Sequence, residues 1–447
     1  MFEYVKLKNY KSFGDVEFNL LDKNGIPKKL ILVFGRNGAG KSNLASSFFM
    51  LSETLRTMDV RDIMQSILSD PENINDKEFS YFLKMRYKDL ETLIQENKLI
   101  DSEEPMYLEF GFQLNGKKGR YILETNDTQI IHERLEYTLV KNRGAYFDIT
   151  PTKIIISPKI FLEKTAYHEI KKSCIKYWGK HSLLAILLHE SDDKADMYIK
   201  EQLQDNFDLV LEFFSRISCK VKLGSKQERG IIGLPPKIFG DYSNGNIPIN
   251  QESLLDKTET MLNIFLQNTY NDIKEVYYKR KYKEDSIDYI LMVRKYIAGK
   301  EHELKFSLES TGTQHLLELL PFMLVVVKGS VAIIDEFDTG IHELLVESLI
   351  SALNNTLNEN SRGQLIITTH ETILMESLPK ESIYIIEQSK DGNREINCVT
   401  HYDNKIHKNT NIRNQYLHGN YQGVPEMENI QSINFNSLLE IIESNSK

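Results

Sequence analysis

The chain has 447 residues and a mass of 51.9 kDa, a length that accommodates two or three domains. Apolar residues make up 41% and charged residues 27%, which supplies a core and excludes a disordered chain. Lys and Arg number 55 against 64 Asp and Glu, a formal charge of −9, whereas a protein that coats nucleic acid is expected to be basic, so any DNA contact must be a local patch.

Cys174, Cys219 and Cys398 lie far apart, with no CxxC or Cys/His pairing, which excludes a disulfide framework and gives no zinc signature. The longest apolar run, residues 316–327, is broken by Glu318 and Pro321 and is too short to span a bilayer. The opening Met1-Phe2-Glu3-Tyr4 lacks the basic-then-apolar order of a signal peptide. A soluble, cytoplasmic protein of a reducing compartment, with no membrane partner, is expected.

In chain order, residues 4–20 alternate as two strands around a turn at 9–13, with Val16, Phe18 and Leu20 set against Asp15, Glu17 and Asn19. Leu30-Ile31-Leu32-Val33-Phe34 is a continuous apolar run, expected of a strand covered on both faces. A glycine-rich loop and a helix over 42–58 follow. Residues 60–104 read as charged helices, 106–112 and 120–124 as strands around Asn115-Gly116-Lys117, and 130–140 as a further strand. The stretch 155–280 reads as mostly helical, with a Gly/Pro-rich break over 224–236. From 289 to 386 strand and helix signals alternate in a βαβ pattern.

Gly35-Arg36-Asn37-Gly38-Ala39-Gly40-Lys41-Ser42 matches GxxxxGK[ST] between an apolar strand and a helix, the context the motif demands. Its glycines let the backbone curl so that N–H groups face phosphate oxygens, and the helix N-terminus adds its positive dipole end. Lys41 would bring a point charge to the phosphates, and the Ser42 hydroxyl would enter a Mg²⁺ shell. Asn43 continues this nucleotide-binding segment. The run Val331-Ala332-Ile333-Ile334-Asp335-Glu336 is a buried strand ending in two carboxylates, where open α/β sheets bind ligands. Asp335 would hold Mg²⁺ through water, and Glu336 would orient and polarise an attacking water.

Ser310 and Gly312 open the helix that leads into the apolar stretch. Taken alone they describe an ordinary capped helix, and His370, after Leu365-Ile366-Ile367-Thr368-Thr369, an ordinary strand end. The offsets argue for more: 335 − 310 = 25 residues is room for a helix, a turn and a strand, and 370 − 335 = 35 fits a neighbouring parallel strand from which His370 would reach a γ-phosphate. Asp338 and His342 read equally as interface residues and as helix caps.

Together these residues resemble the ABC-type ATPase heads of the SMC, RecF and OLD-nuclease group, whose first strand and turn are similar to Val5 through Phe13, with Lys11 in place of a basic residue near the nucleotide. A finer resemblance is to bacterial ATPases of abortive-infection and phage-defence operons, AriA of PARIS and the AbiL- and Rlo-type ATPases among them. It rests on Glu309-Ser310-Thr311-Gly312-Thr313, Asp335-Glu336-Phe337 with His342, Thr368-Thr369-His370, and the tail 416–425. The resemblance implies an α/β P-loop NTPase of ABC-ATPase head type, a mixed sheet flanked by helices, with a mostly helical insertion. The core would occupy 1–150 and 289–390, the insertion or partner-binding region 151–288, and a tail 391–447. ATP and Mg²⁺ would be the cofactors, and Lys41, Glu336 and His370 the catalytic set. Two copies would pair head to tail, closing ATP between one phosphate loop and the other copy's Ser310 and Gly312, as a dimer or higher homo-oligomer. An operon-encoded TOPRIM-type nuclease would be the effector and a phage protein the trigger.

Gln113, Gln129 and Glu133 all lie where the family's glutamine loop could fall, and none is assigned. Tyr277-Tyr278-Lys279-Arg280-Lys281-Tyr282-Lys283 interleaves aromatic and basic residues, as a nucleic-acid grip would. An exposed strand with its cations in water is the preferred reading, and DNA stays open as a partner. Trp178 reads as core packing. The amphipathic segment 430–444 would dock on its own core or on a partner. The rival functions are a RecF-like clamp on DNA and a nucleotide-locked scaffold with incidental turnover.

Overall fold

The computed structural model describes residues 1–69, 88–192, 198–223, 226–230, 242–360, 362–389, 391–402, 411–421, 423–424, 434–437 and 439. The chain opens with β1 (Phe2–Tyr10), β2 (Phe13–Asn19), β3 (Leu30–Phe34), α1 (Lys41–Thr54), α2 (Thr57–Ser69) and α3 (Leu90–Asn97). Then come β4 (Met106–Leu114), β5 (Lys117–Thr125), β6 (Ile130–Thr138), β7 (Arg143–Thr150) and β8 (Lys153–Ile156), followed by α4 (Lys164–Tyr177), α5 (Leu183–Asp192), α6 (Tyr198–Glu201) and α7 (Asp205–Ser215). β9 (Ile217–Leu223), β10 (Lys226–Gly230) and β11 (Asn244–Pro248) lead to α8 (Glu252–Thr269), β12 (Ile273–Tyr282), β13 (Ser286–Ile297) and β14 (Lys300–Lys305). The last part runs α9 (Thr311–Val327), β15 (Val331–Ile334), α10 (Glu343–Asn360), β16 (Gln364–Thr368), α11 (Leu374–Ser377), β17 (Ile383–Gln388), β18 (Arg394–Cys398) and α12 (Ile412–Leu417).

Among the described residues, three sheets result. An antiparallel sheet has the order β2-β1-β4-β5-β6-β7-β8, and a smaller one has β11-β13-β12 with β14 on β13. The central sheet, β10-β9-β15-β16-β3-β17-β18, is parallel from β9 to β17 and antiparallel at both edges. The apolar strands are covered on both faces, as their continuous hydrophobicity implies. Ile31, Val33, Val331 and Ile333 join one core cluster with the antiparallel sheet and α1. Leu30, Leu32, Ala332 and Ile334 join another with α8, α9 and α10. Helix α1 is buried along most of its length between the two large sheets, with Phe48 5.2 Å ring to ring from Phe2.

The α/β class with a mixed sheet flanked by helices is the one found, but the middle of the chain departs from the helical insertion expected over 151–288. Helices α4, α5, α6, α7 and α8 belong to this stretch, whereas β9 lies inside the central sheet, parallel to β15. Its Ile217, Cys219 and Val221 face α1, and the intervening Lys220 and Lys222 make its other half read as solvent-facing. The break at 224–236 falls largely outside the described residues. So does most of 430–444, where Phe435 and Leu439 are exposed.

Gln364 links the central sheet to the antiparallel one. Gln364, fully buried at the start of β16, accepts from the Phe2 N–H (2.7 Å) and donates to the carbonyls of Phe2 (3.0 Å) and Lys28 (2.9 Å). Replacing it with Leu takes the partner from three backbone groups, two of them on buried Phe2, and Gln364→Leu is expected to cost about 2–4 kcal/mol, read as a lower denaturant midpoint at unchanged slope.

Candidate functional site

The phosphate loop begins where β3 ends. Gly38 and Gly40 have φ of 79° and 113°, the left-handed region that glycine enters without strain. Gly40 also lies so close to the first turn that a Cβ there would meet the Phe13 ring at 3.0 Å. Lys41 is 7% exposed, and its Nζ donates to the carbonyls of Gly35 (2.7 Å) and Arg36 (3.3 Å). Burial pulls this ammonium down to about 8, against the attraction of Asp335. A polyphosphate beside it would favour the charged form and oppose that desolvation.

Asp335 is 2% exposed at the end of β15. Thr368 Oγ1 donates to its Oδ1, the Lys222 N–H donates to its Oδ2 at 3.3 Å, and the Ser42 hydroxyl is hydrogen-bonded to it. Burial nevertheless raises its pKa above the ordinary value. Ser42 and Asp335 thus place hard oxygen donors side by side, with one carboxylate charge to neutralise, a set that fits Mg²⁺.

Glu336 has φ of 51°, an uncommon conformation for a residue with a Cβ. The turn takes it out of line with the strand, and its N–H donates to Thr368 Oγ1 at 2.9 Å. Loop residues between Asn37 and Asn43 line a cavity of about 350 Å³ together with Glu336 and His370. The His370 N–H donates to Asp338 Oδ2 at 3.2 Å. His370 remains solvent-accessible, and partial desolvation by the cleft, then the Lys41 charge, pulls its imidazole below its ordinary value. The sheet order explains the convergence: β16 lies between β3 and β15, so Thr368 and His370 emerge between loop and carboxylates.

Ser310 and Gly312 are not part of this cavity. Ser310 is exposed and caps α9, its Oγ accepting from the Thr313 N–H at 3.2 Å. Gly312 is buried, and a Cβ there would meet the Gly340 carbonyl oxygen at 2.1 Å. This glycine is required first by close packing on the loop after Glu336. His342 is exposed, and its Nδ1 accepts from the Leu344 N–H at 3.3 Å at the start of α10.

None of the three glutamine-loop candidates lines the cavity. Gln113 pairs its backbone with Met1, and Gln129 sits near Gly179. Glu133 is fully buried, accepting from Tyr121 Oη (2.9 Å), Trp178 Nε1 (2.8 Å) and the Leu183 N–H (2.7 Å), so Trp178 serves a polar knot as well as the core. The strand 277–282 carries exposed Lys279 and Lys281, but Arg280 is held by Glu252 (3.0 Å), Asp256 (2.7 Å) and Glu259 (3.0 Å).

Sequence reasoning missed three contributors. Arg394 of β18 donates to the carbonyls of Ala39 (2.9 Å), Gly38 (3.4 Å) and Ser12, bracing the phosphate loop. Thr368 joins both carboxylate residues. Lys222 of β9 reaches Glu336. For Thr368 the strand-end position carried a signal; Arg394 and Lys222 reach the site only through sheet order.

Residues 219–376 match the model of a family described as "AAA domain, putative AbiEii toxin, Type IV TA system". No curated protein matches the chain. Among solved structures, the SMC head domain from Thermotoga maritima is similar at 14% identity and a TM-score of 0.37, covering 89% of this chain and 98% of that chain. An SmcHead bound to the C-winged helix domain of ScpA is similar at 14% and 0.41, covering 89% and 96%. A Smc head domain with an extended coiled coil, bound to the C-terminal domain of ScpA derived from Pyrococcus furiosus, is similar at 14% and 0.37, covering 89% and 95%.

Burial, opposed by the Leu183 N–H and the Tyr121 hydroxyl, pushes the Glu133 carboxyl up from 4.5 to about 7. Between those values the folded chain holds a proton that the unfolded chain has released, so this group's contribution to stability falls as pH rises from 4.5 through 7. Urea unfolding across that window is expected to show the fall, and Glu133→Gln to flatten it.

Proposed function

We propose that this chain is a Mg²⁺-dependent ATPase of the ABC type, in the SMC-like group, whose nucleotide state gates a second protein. The observation that carries the reading is the convergence of Lys41, Ser42, Glu336 and His370 on one cavity, with Asp335 buried behind it. Lys41, desolvated and resting on its own loop, would turn to the β- and γ-phosphates. Glu336 would accept a hydrogen bond from the attacking water and hold it in line. His370 would contact the γ-phosphate. Mg²⁺, held by Ser42 and through water by Asp335, would offset phosphate charge.

Ser310 and the N-terminus of α9 present donors outside the cavity, as required if a second copy's ATP is their partner. Head-to-tail closure around nucleotide then turns binding energy into a change of quaternary state. The setting we favour is bacterial antiphage defence beside AriA- and AbiL-like ATPases, with a separate effector nuclease of the TOPRIM type and a phage protein as trigger. The toxin–antitoxin description of the family matched over 219–376 supports such a setting. A RecF-like clamp is weakened by the three carboxylates around Arg280 and by the acidic net charge.

Lys41→Ala removes the charge-assisted contact and is expected to weaken ATP binding about 10- to 100-fold, measured by calorimetry. Glu336→Gln should retain ATP while kcat falls roughly 100-fold or more, and the protein should then sediment as a dimer with ATP and as a monomer without it. Full affinity in Lys41→Ala, or undiminished turnover in Glu336→Gln, would refute this site.

A further inference from the structure

The Glu336 carboxylate is engaged by two side chains. Lys222 Nζ lies 2.9 Å from Oε2 and 3.2 Å from Oε1, and Thr339 Oγ1 lies 3.4 Å from Oε2. Lys222 is placed for this by strand register. β9 runs parallel to β15 with Lys220 opposite Ile334, so two residues on, Lys222 is level with Glu336. Its own N–H is tied to Asp335. Lys220, on the same face of β9, is wholly buried with Nζ 3.2 Å from His315 Nδ1 in α9, which fixes the strand while leaving the Lys222 side chain 47% exposed. Lys41 and His370 share the cavity with Glu336, and Asp335 precedes it.

Resting on the ATPase reading above, we propose that Lys222 is a positioning residue that latches Glu336 and restrains ATP turnover until the pair opens. A carboxylate whose two oxygens both face an ammonium offers a weakened acceptor to water. The pair is half-exposed, so water can replace the ammonium at modest cost.

The test is steady-state turnover of the full chain with saturating Mg·ATP. Lys222→Gln should raise kcat about two- to fivefold, the range that an exposed ion pair is worth, with KM unchanged. Lys222→Arg should restore the wild-type rate, and Lys222→Gln combined with Glu336→Gln should lose the gain. A Lys222→Gln rate equal to or below wild type, a change confined to KM, or a gain that survives in the double variant would each overturn the latch. Those results leave ATP affinity and its dependence on Lys41 intact, whereas failure of the ATPase reading itself would appear as affinity indifferent to Lys41→Ala.

Discussion

A carboxylate with almost no access to water governs the arrangement of this molecule. Asp335 sits at the end of a strand covered on both faces, and burial alone would favour its neutral form. The fold answers with donors from three directions: Thr368 from β16, the Lys222 N–H from β9 and the Ser42 hydroxyl from α1. Each donor comes from a different element of the parallel sheet and its first helix. Holding that one charge therefore fixes the mutual register of β9, β15, β16 and the phosphate loop. The catalytic constellation proposed above is what that register leaves facing the cavity.

The scaffold behind it is stiff because helix α1 is packed on both sides. The antiparallel sheet closes over one face of α1 while the central sheet supports the other. Gln364 joins the two sheets through backbone groups of Phe2 and Lys28, which a sliding pair of sheets would have to strip of partners in a dry interior. The C-terminal residues add to the same end: Tyr416 of α12 packs against Phe34 at 6.2 Å and donates to the Gly423 carbonyl at 2.9 Å, so the tail returns to the strand that feeds the phosphate loop.

What was legible in the sequence was whatever rests on local rules. The phosphate loop, the apolar strand ending in two carboxylates and the strand ending at His370 each carry a short pattern whose chemistry is fixed by adjacent residues. Long-range neighbours left no such mark. β9 was hidden because Lys220 and Lys222 on one face imitate solvent exposure, although one is buried against α9 and the other is bound to Glu336. Arg394 reads as an ordinary hairpin residue until β18 is placed on the sheet edge, where it reaches Gly38 and Ala39. Glu133 was weighed for the nucleotide site on position alone, and its burial beneath α5 depends on Trp178 and Leu183, 45 and 50 residues away.

The separation of Ser310 from the cavity would be puzzling if the two had no mechanical connection, but the loop between β15 and α10 provides one. At its start Glu336 faces the cavity. Four positions on, Gly340 presses its carbonyl into the space a side chain at Gly312 would need. The N-terminus of α9 therefore cannot shift toward or away from a second molecule without moving the Gly340 end of that loop, because neither partner has a flexible side chain to absorb the change. At the other end, Thr368 holds the Glu336 N–H and Lys222 holds its carboxylate. Of those two restraints only the half-exposed ion pair is weak enough to yield. Under the proposed head-to-tail closure, strain entering at Ser310 would find its softest point at the pair that occupies the carboxylate proposed to polarise water.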